Sequence, residues 1–168
     1  ELDKRNREIK GEVEALRAEK NKVSKEIGAC MAHGEKEKAE ELGVTPKMKI
    51  EGYAIAGFDA ELMGYSPKFS SEKLANKLGV DLKSIDMFEI NEAFASQAYA
   101  VSRDLGLDPE KVNIYGGGIS IGHPIGATGA MLTVKVMYEL MRTDKKDAMI
   151  SMCICGGQGI SMYFTKCE

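Results

Sequence analysis

The first part of the chain has a seven-residue hydrophobic repeat. Its apolar positions are Leu2, Ile9, Leu16, Val23 and Cys30, with Val13 and Ile27 on the adjoining side. Most of the other positions there are charged. A seven-residue apolar repeat in a charged background is typical of one helix of a coiled coil. We therefore predict an N-terminal coiled-coil-type helix that needs a partner, because an isolated amphipathic helix is marginal in water.

Beyond Gly43, short apolar runs alternate with segments of helical periodicity. The predicted strands are residues 47–57, 85–90, 112–115, 148–153 and 159–165, and the predicted helices are residues 71–79, 92–105 and 126–141. Ser70 or Ser71 is expected to cap the first of these helices, and Gly79 to end it. The glycines between the last two strands indicate a hairpin. Strands that alternate with helices predict a layered α/β domain.

Composition and charge narrow the possible classes of protein. At 168 residues the chain is long enough for one hydrophobic core. A net charge of −3 and a pI near 5.6 give no general attraction to nucleic acid or to anionic membranes. No apolar run approaches the roughly 18 residues of a membrane span, and neither a signal-peptide pattern nor a secreted cysteine framework is present. We therefore expect a cytoplasmic protein with no membrane partner.

Two glycine-rich segments hold the candidate chemistry. Residues 113–130 place His123, one of two histidines, in a glycine-dense loop. Residues 153–159 place Cys153 beside a second glycine turn. Glycine lets the backbone approach a ligand closely, and a histidine, a thiol and exposed backbone amides together indicate acyl-group or carbonyl chemistry. Cys153 and Cys155 are too close in sequence for the usual zinc pair, and no cofactor or metal is predicted.

Residues 38–168 resemble the C-terminal half of thiolases, and the biosynthetic acetyl-CoA acetyltransferases fit best. The blocks that carry the resemblance are Asn91-Glu-Ala-Phe-Ala95, Gly122-His-Pro-Ile-Gly-Ala-Thr-Gly-Ala130 and Cys153-Ile-Cys-Gly-Gly-Gln-Gly159, preceded by Glu51-Gly-Tyr-Ala-Ile-Ala-Gly57 and Met63-Gly-Tyr-Ser-Pro67. The resemblance implies a mixed five-stranded sheet covered by helices. It also implies the interconversion of two acetyl-CoA with acetoacetyl-CoA and CoA, with CoA thioesters as substrates and no separate cofactor.

The same resemblance implies a role for each candidate residue. His123 would activate the nucleophilic cysteine and help to hold the thioester oxygen, a task that suits an imidazole. Cys153 would move the α-proton of the acetyl group as a thiolate. Asn91 would hold a water that completes the oxyanion site with His123. The backbone amides of Cys155, Gly156 and Gly157 would face a second oxyanion.

This sequence departs from the thiolase pattern at three points. Cys155 stands where the family has glycine, which would cost on the order of 1 kcal/mol if that position needs a positive φ. Met131 stands where the family usually has arginine. The acyl-accepting cysteine of the family belongs to an N-terminal half that the resemblance does not cover, so we expect this chain alone to be inactive as a thiolase.

Residues 1–36 resemble a different family, the seryl-tRNA synthetases of bacteria. Glu12-Val-Glu-Ala-Leu-Arg-Ala-Glu-Lys-Asn-Lys-Val-Ser-Lys-Glu-Ile-Gly28 is similar to the first helix of their coiled-coil arm, which grips tRNA. We place the join near residues 34–40, with a coiled-coil-type helix at residues 1–38 and a thiolase-like domain at residues 39–168. The chain then consists of two unrelated fragments.

The candidate residues also have plain structural interpretations. His123 can be read as an ordinary loop histidine, Cys153 as a small buried apolar residue and Asn91 as the cap of helix 92–105. The motif context favours the catalytic interpretation for His123 and Cys153. The charged stripe of residues 1–36 is interpreted as a solvated helix face rather than an RNA contact.

Three functions follow, in this order. The first is a thiolase-type acyltransferase that needs its missing half before it binds acyl-CoA or CoA productively. The second is a non-catalytic interaction protein that self-associates through the coiled coil or through an apolar face. The third is tRNA binding through the arm-like helix, ranked last because the returning helix of the arm does not follow.

Overall fold

The computed structural model describes residues 45–167 and nine residues of the N-terminal segment, namely 11, 14, 15, 18, 21, 22 and 24–26. Those nine residues are helical and solvent-exposed. The apolar seam of the predicted coiled coil lies outside the described residues, so the coiled coil stays a prediction. The unit Lys47–Glu168 is compact by itself, whereas the predicted boundary near residue 38 falls in the stretch that is not described.

The compact unit contains a mixed four-stranded sheet and helices, as an α/β domain should. Its strands are β1 (Met48–Gly57), β2 (Phe88–Ile90), β3 (Asp147–Cys153) and β4 (Gln158–Lys166). Its helices are α1 (Ser66–Leu78), α2 (Ala95–Asp104), the single turn α3 (Gly118–Ile121) and α4 (Thr128–Arg142). Three 3-10 turns lie at Ala60–Tyr65, Leu82–Ser84 and Pro109–Lys111.

The sheet has the order β1-β4-β3-β2. β2 runs parallel to β3, while β3–β4 and β4–β1 are antiparallel. The predicted closing hairpin is confirmed: Cys153 lies opposite Gly159 at its tip. The parallel β2–β3 connection carries α2, α3 and α4, so the residues between two neighbouring strands form most of the site.

Two apolar cores lie on opposite faces of the sheet. Helices α1 and α2 cover one core, which is formed by Ala54, Leu74, Ile85, Phe88, Ile90, Val101, Leu105, Leu107, Met149 and Tyr163. Helix α4 covers the other, which is formed by Met87, Leu132, Val136, Leu140, Ala148, Ile150 and Phe164. Neighbouring residues of β3 alternate between the two cores, because successive side chains of a strand point to opposite faces. In β2, Phe88 and Ile90 lie in the first core and the buried Glu89 lies between them. Both strands that lead into the site are therefore buried on both sides.

The predicted fifth strand at residues 112–115 is wrong, because Asn113 interrupts it. Val112 makes a single parallel bridge to Phe88, and Asn113 then turns away with φ 48°. Its side chain replaces the backbone ladder: Asn113 Oδ1 accepts from the Ile90 amide at 2.8 Å, and Nδ2 donates to the Ile90 carbonyl at 2.9 Å. The sheet consequently ends at β2 and has four strands.

Helix α1 begins five residues before its predicted start. Pro67 lies in its first turn, where a missing amide hydrogen costs nothing; its end at Gly79, with φ 67°, is as predicted. The predicted cap at Ser70 or Ser71 is wrong, since both hydroxyls are buried against the sheet. Ser71 Oγ lies 2.7 Å from Ser151 Oγ and 3.0 Å from Ser161 Oγ, and Ser70 Oγ lies 2.7 Å from Ser161 Oγ.

Two further boundaries differ from the predictions. Strand β2 is shorter than predicted because Ile85 closes the preceding 3-10 turn with its amide on the Leu82 carbonyl. Helix α2 begins at Ala95, with Phe94 as its extended N-cap, so Asn91 is not the helix cap. In the described part of the chain, no helix is both long and apolar enough to cross a bilayer.

Candidate active site

His123 lies in the loop between α3 and α4, and its ring is held by the first residue of α4. His123 Nδ1 lies 2.7 Å from Thr128 Oγ1, and Thr128 Oγ1 donates to the Pro124 carbonyl at 3.0 Å. A hydroxyl has one hydrogen, so Thr128 must accept from Nδ1–H of the histidine. We assign the tautomer on this network. The neutral ring therefore has its lone pair on Nε2.

Asn91 follows β2 directly and reaches the other side of the same ring. It is 1% exposed, and its backbone amide donates to the Ser151 carbonyl at 2.8 Å. Its Nδ2 lies 3.4 Å from His123 Nε2, a long contact for a hydrogen bond. Asn91 Oδ1 is buried and has no hydrogen-bond partner among the described residues. The basic nitrogen of His123 thus faces an amide donor with an unused acceptor beside it.

A cavity of about 380 Å³ opens in front of His123. Its lining is mostly apolar, with His123 and two cysteines as the polar groups: Met63, Ala93, Phe94, His123, Ile125, Met152, Cys153, Ile154 and Cys155. An apolar lining lowers the local dielectric constant and strengthens each electrostatic interaction within it. The cavity has the size and character of a small-molecule site.

Cys153 is the last residue of β3 and is half-buried. Burial raises the pKa of its thiol above the ordinary value, and a backbone hydrogen bond opposes that shift only in part. The thiol is therefore mainly protonated near neutral pH and needs a base before it can act. Cys155 is exposed, and both cysteines are free thiols.

The turn after Cys153 presents unused backbone amides. Hydrogen bonds from the amides of Cys155, Gly156 and Gly157 to protein acceptors do not occur within residues 45–167. Gly156 and Gly157 adopt φ values of 70° and 80°. Cys155 does not have a positive φ, so the condition under which a non-glycine residue would be strained at this position is not met. Gly156 and Gly157, the two glycines that remain in this turn, adopt the left-handed conformation.

Glu92 anchors the loop that carries His123 through hydrogen bonds and close packing. Its Oε1 accepts from Asn113 Nδ2 at 2.9 Å, and its Oε2 accepts from the Ile119 amide at 3.0 Å. A Cβ at Gly117 would lie 2.5 Å from the Glu92 carboxyl carbon, and one at Gly118 would lie 2.8 Å from the Glu92 carbonyl oxygen. These two glycines therefore allow close packing on Glu92 itself, and not on a ligand as the sequence analysis assumed.

A buried ion pair supports the start of the same loop. Lys135 Nζ of α4 lies 2.8 Å from Glu89 Oε2 and also donates to the Gly116 carbonyl. Glu89 is fully buried, and its Oε1 lacks a partner in the described part of the chain. Burial raises the pKa of Glu89 to about 7, against the opposing effect of Lys135.

The similarity to known proteins agrees with this geometry. Residues 44–166 match the family described as the C-terminal domain of thiolase. The chain belongs to the thiolase family. Residues 1–54 match the N-terminal domain of seryl-tRNA synthetase, so both resemblances in the sequence are confirmed. The two matches overlap at residues 44–54, which include most of β1.

Several curated thiolases are similar over most of the chain. The β-ketothiolase BktB of Cupriavidus necator is 44% identical over 84% of the chain and 36% of the relative. An acetyl-CoA acetyltransferase of Syntrophomonas wolfei is 46% identical over 76% of the chain and 33% of the relative. The crystal structure of the Bacillus anthracis acetyl-CoA acetyltransferase superposes with a TM-score of 0.75 at 42% identity, over 79% of the chain and 34% of that protein. The chain thus spans about a third of the length of the thiolases it matches.

The structure brings the predicted site residues of the thiolase domain close together. His123, Cys153 and Cys155 line one cavity, Asn91 lies behind His123, and Gly156 and Gly157 form the adjoining turn. Their chemical roles stay predictions. Sequence reasoning missed three groups that position the site, namely Thr128, Glu92 and the pair Glu89–Lys135. The available signal was that Glu92 follows Asn91 directly and Thr128 lies five residues after His123, both inside the matched motifs.

Proposed function

We propose that residues 44–166 form the proton-transfer half of a thiolase active site that acts on acetyl-CoA and acetoacetyl-CoA. The observation that carries the proposal is the shared cavity: His123 and Cys153 line the same 380 Å³ of mostly apolar space. Membership of the thiolase family supports this substrate class.

His123 acts first as a base and then as a hydrogen-bond donor. Because Nδ1–H is committed to Thr128, Nε2 takes the proton of the acyl-accepting thiol. The resulting Nε2–H then points at the thioester oxygen and stabilises negative charge there. Asn91 is placed to orient a water at the same oxygen, and its unused Oδ1 gives that water an acceptor.

Cys153 transfers the α-proton of the acetyl group. Burial keeps its thiol protonated in the resting site, so it is suited to return a proton to a carbanion in the direction of thiolysis. In the direction of condensation it must first lose its proton, and the free amides of residues 155–157 provide positive partial charge near that thiolate. Replacement of glycine by Cys155 leaves the backbone amide at that position in place.

The test uses this chain and a hybrid protein. Purified residues 1–168 are assayed for CoA-dependent thiolysis of acetoacetyl-CoA, and we expect no turnover because the family's acyl-accepting cysteine is not among these residues. Residues 44–168 are then joined to the part of the Bacillus anthracis acetyl-CoA acetyltransferase that the chain does not cover. The hybrid is expected to be active, and Cys153→Ala or His123→Asn to lower its kcat by about 10²–10⁴-fold. A folded hybrid that binds CoA and shows no thiolysis would refute the proposal.

A second candidate function, self-association without catalysis, is supported by the exposed side chains of the edge strand. Ile50, Tyr53 and Ile55 of β1 are 56%, 55% and 45% exposed, and contiguous exposed apolar surface often marks an interface. Light scattering should then give a mass that rises with protein concentration, and Ile50→Lys should reduce the rise. A monodisperse monomer at all concentrations would exclude it. Binding of tRNA through the arm-like helix of residues 1–38 remains the third candidate, to be tested by salt-sensitive, saturable binding.

A further inference from the structure

We propose that Cys153 and Cys155 form a thiol pair that exchanges with small-molecule disulfides and closes to a reversible intramolecular disulfide. The thiolase resemblance has glycine at position 155, so the pair is a property of this chain. The disulfide itself does not depend on the proposed acyl transfer; only its consequence for catalysis does.

The two cysteines share one cavity. Both side chains line it and are separated by one residue. Cα atoms two residues apart span at most about 7 Å, and Cys155 lies beyond the end of β3, so a small backbone adjustment brings the pair within the range of about 4.4–6.8 Å that disulfides require. Cys153 is anchored by its pairing with Gly159. Gly156 and Gly157 follow Cys155 directly, so the backbone on its far side can adjust with little steric resistance.

The two thiols differ in accessibility, and this difference sets the order of the reaction. Cys155 is exposed, whereas Cys153 is half-buried and has a raised pKa because of that burial. Exchange begins with attack of a thiolate on a disulfide sulfur, so the accessible thiol reacts first. Cys155 thus attacks the external disulfide, forms a mixed disulfide and releases one small thiolate.

Cys153 completes the exchange. It transfers its proton to Nε2 of His123, the ring nitrogen that carries the lone pair; both residues line the same cavity. The Cys153 sulfur then attacks Sγ of Cys155 and expels the second small thiolate, which takes up a proton. The protein loses two electrons and two protons, and the small disulfide is reduced to two thiols. Under the proposed function, the oxidised chain lacks the thiol that moves the α-proton, so its half of the site is reversibly inactive.

The experiment measures only the oxidation state of the cysteines. The intact chain is incubated with oxidised glutathione, quenched with an alkylating reagent and digested with trypsin. Cleavage after Lys146 and Lys166 releases residues 147–166, which contain both cysteines, while Cys167 falls in a different peptide. We expect this peptide to lose two hydrogens, and dithiothreitol to restore both thiols. A stable glutathione adduct on Cys155 with Cys153 still free, or a disulfide to Cys167, would overturn the proposal.

The variants separate the two steps. Cys153→Ser removes the second thiol, so the glutathione adduct on Cys155 should persist. Cys155→Ser and Cys155→Gly remove the first, so Cys153 should react at least about tenfold more slowly than in the wild type, because it is half-buried. Equal rates would contradict the assigned order. Cys167→Ser is the matched control and should behave as wild type.

Repeating the glutathione experiment in denaturant tests whether the fold sets the order in which the two cysteines react. The advantage of Cys155 over Cys153 in the first attack should disappear there, and its persistence would mean that burial does not set the order. No CoA thioester is present in either experiment. Failure of the disulfide therefore leaves the acyl-transfer proposal standing, and an inactive hybrid leaves the disulfide standing.

Discussion

The loop that carries His123 and the turn that follows Cys153 both contain consecutive glycines, but the structure uses them differently. At Gly117 and Gly118 the loop closes on Glu92, and a Cβ would collide with it. At Gly156 a Cβ would meet nothing within 4 Å, and glycine is needed because φ is 70°. Gly157 combines both demands, with φ 80° and a Cβ that would lie 2.3 Å from the Phe58 carbonyl oxygen.

The comparison shows that a glycine-rich motif must be analysed position by position. One segment needs glycine for close packing on a carboxylate, and the other needs it for backbone conformation. The position that departs from the family, Cys155, carries neither demand: its φ is not positive and its side chain points into the open cavity. This explains how the motif accepts a cysteine there without backbone strain.

The largest expected effect is a difference in stability between the alanine variants of Gly157 and Gly156. Gly157→Ala forces a methyl group against the backbone at Phe58 and keeps a positive φ, so we expect a loss of about 3 kcal/mol or more in the free energy of unfolding. Gly156→Ala has only the conformational cost, about 1 kcal/mol. Urea unfolding of both variants measures the difference. Equal losses would show that the approach to Phe58 is not what requires glycine at residue 157.

The free energy of unfolding should depend on pH through Glu89, which supports the loop that carries His123. We expect no matching pH dependence from the turn after Cys153. Burial raises the pKa of Glu89 to about 7 in the folded chain, from the ordinary carboxyl value of 4.5. The native state then binds more protons than the unfolded state between these two values, so this contribution to stability is full below pH 4.5 and falls as the pH rises to about 7. The total change is on the order of 3 kcal/mol.

The variant Glu89→Gln isolates this contribution, because it keeps a neutral group of similar shape in place. Urea unfolding between pH 4.5 and 7 should show a flatter profile than the wild type. Lys135→Met should extend the fall to higher pH, since Lys135 lowers the Glu89 pKa and its loss raises that pKa further above the unfolded value. An unchanged slope in Glu89→Gln would assign the pH dependence to another group.

Glu92 should contribute less to the free energy of unfolding than the close contact at Gly157 does. Its loss should also loosen the loop that carries His123. Glu92→Gln keeps an acceptor for one donor and places an amide nitrogen opposite the other, so we expect a loss of about 1–3 kcal/mol in the free energy of unfolding. Hydrogen exchange should become faster at the Ile119 amide, which donates to this carboxylate. Glu110→Gln, at an exposed position of a 3-10 turn, is the control. Unchanged exchange at Ile119 would contradict the assigned role.

Local patterns in the sequence predicted much of the fold. The order of strands and helices, the closing hairpin and the helix end at Gly79 depend on hydrophobic periodicity and glycine, and all are confirmed. The lost fifth strand depends on Asn113, whose side chain takes the place of backbone hydrogen bonds. Hydrophobic periodicity does not reveal this replacement of backbone hydrogen bonds by side-chain hydrogen bonds. Asn113 was assigned to a strand by its apolar neighbours, although asparagine is the non-glycine residue that most readily adopts a positive φ.

The site was predicted less completely than the fold. Its chemical groups were found through motifs, since His123, Cys153 and Asn91 are the residues that such motifs name. The groups that position them act through contacts between segments far apart in sequence, and a single sequence does not display those contacts. Thr128 and Glu92 are the exceptions, because both lie inside the motifs that also contain His123 and Asn91.

The smallest effect concerns the proton on His123. If Thr128 accepts from Nδ1–H, the ¹⁵N spectrum of the neutral ring should show a protonated Nδ1 and an unprotonated Nε2. The chain has two histidines, so the signal is assigned by comparison with His33→Gln. Thr128→Val should mix the two tautomers, while Thr128→Ser, which keeps the hydroxyl, should restore the wild-type pattern. The cost in stability should be about 1 kcal/mol, the typical value of one hydrogen bond. If Thr128→Val leaves the ring nitrogens unchanged, a group other than Thr128 sets the tautomer, and the base assigned to the proton-transfer step must be reconsidered.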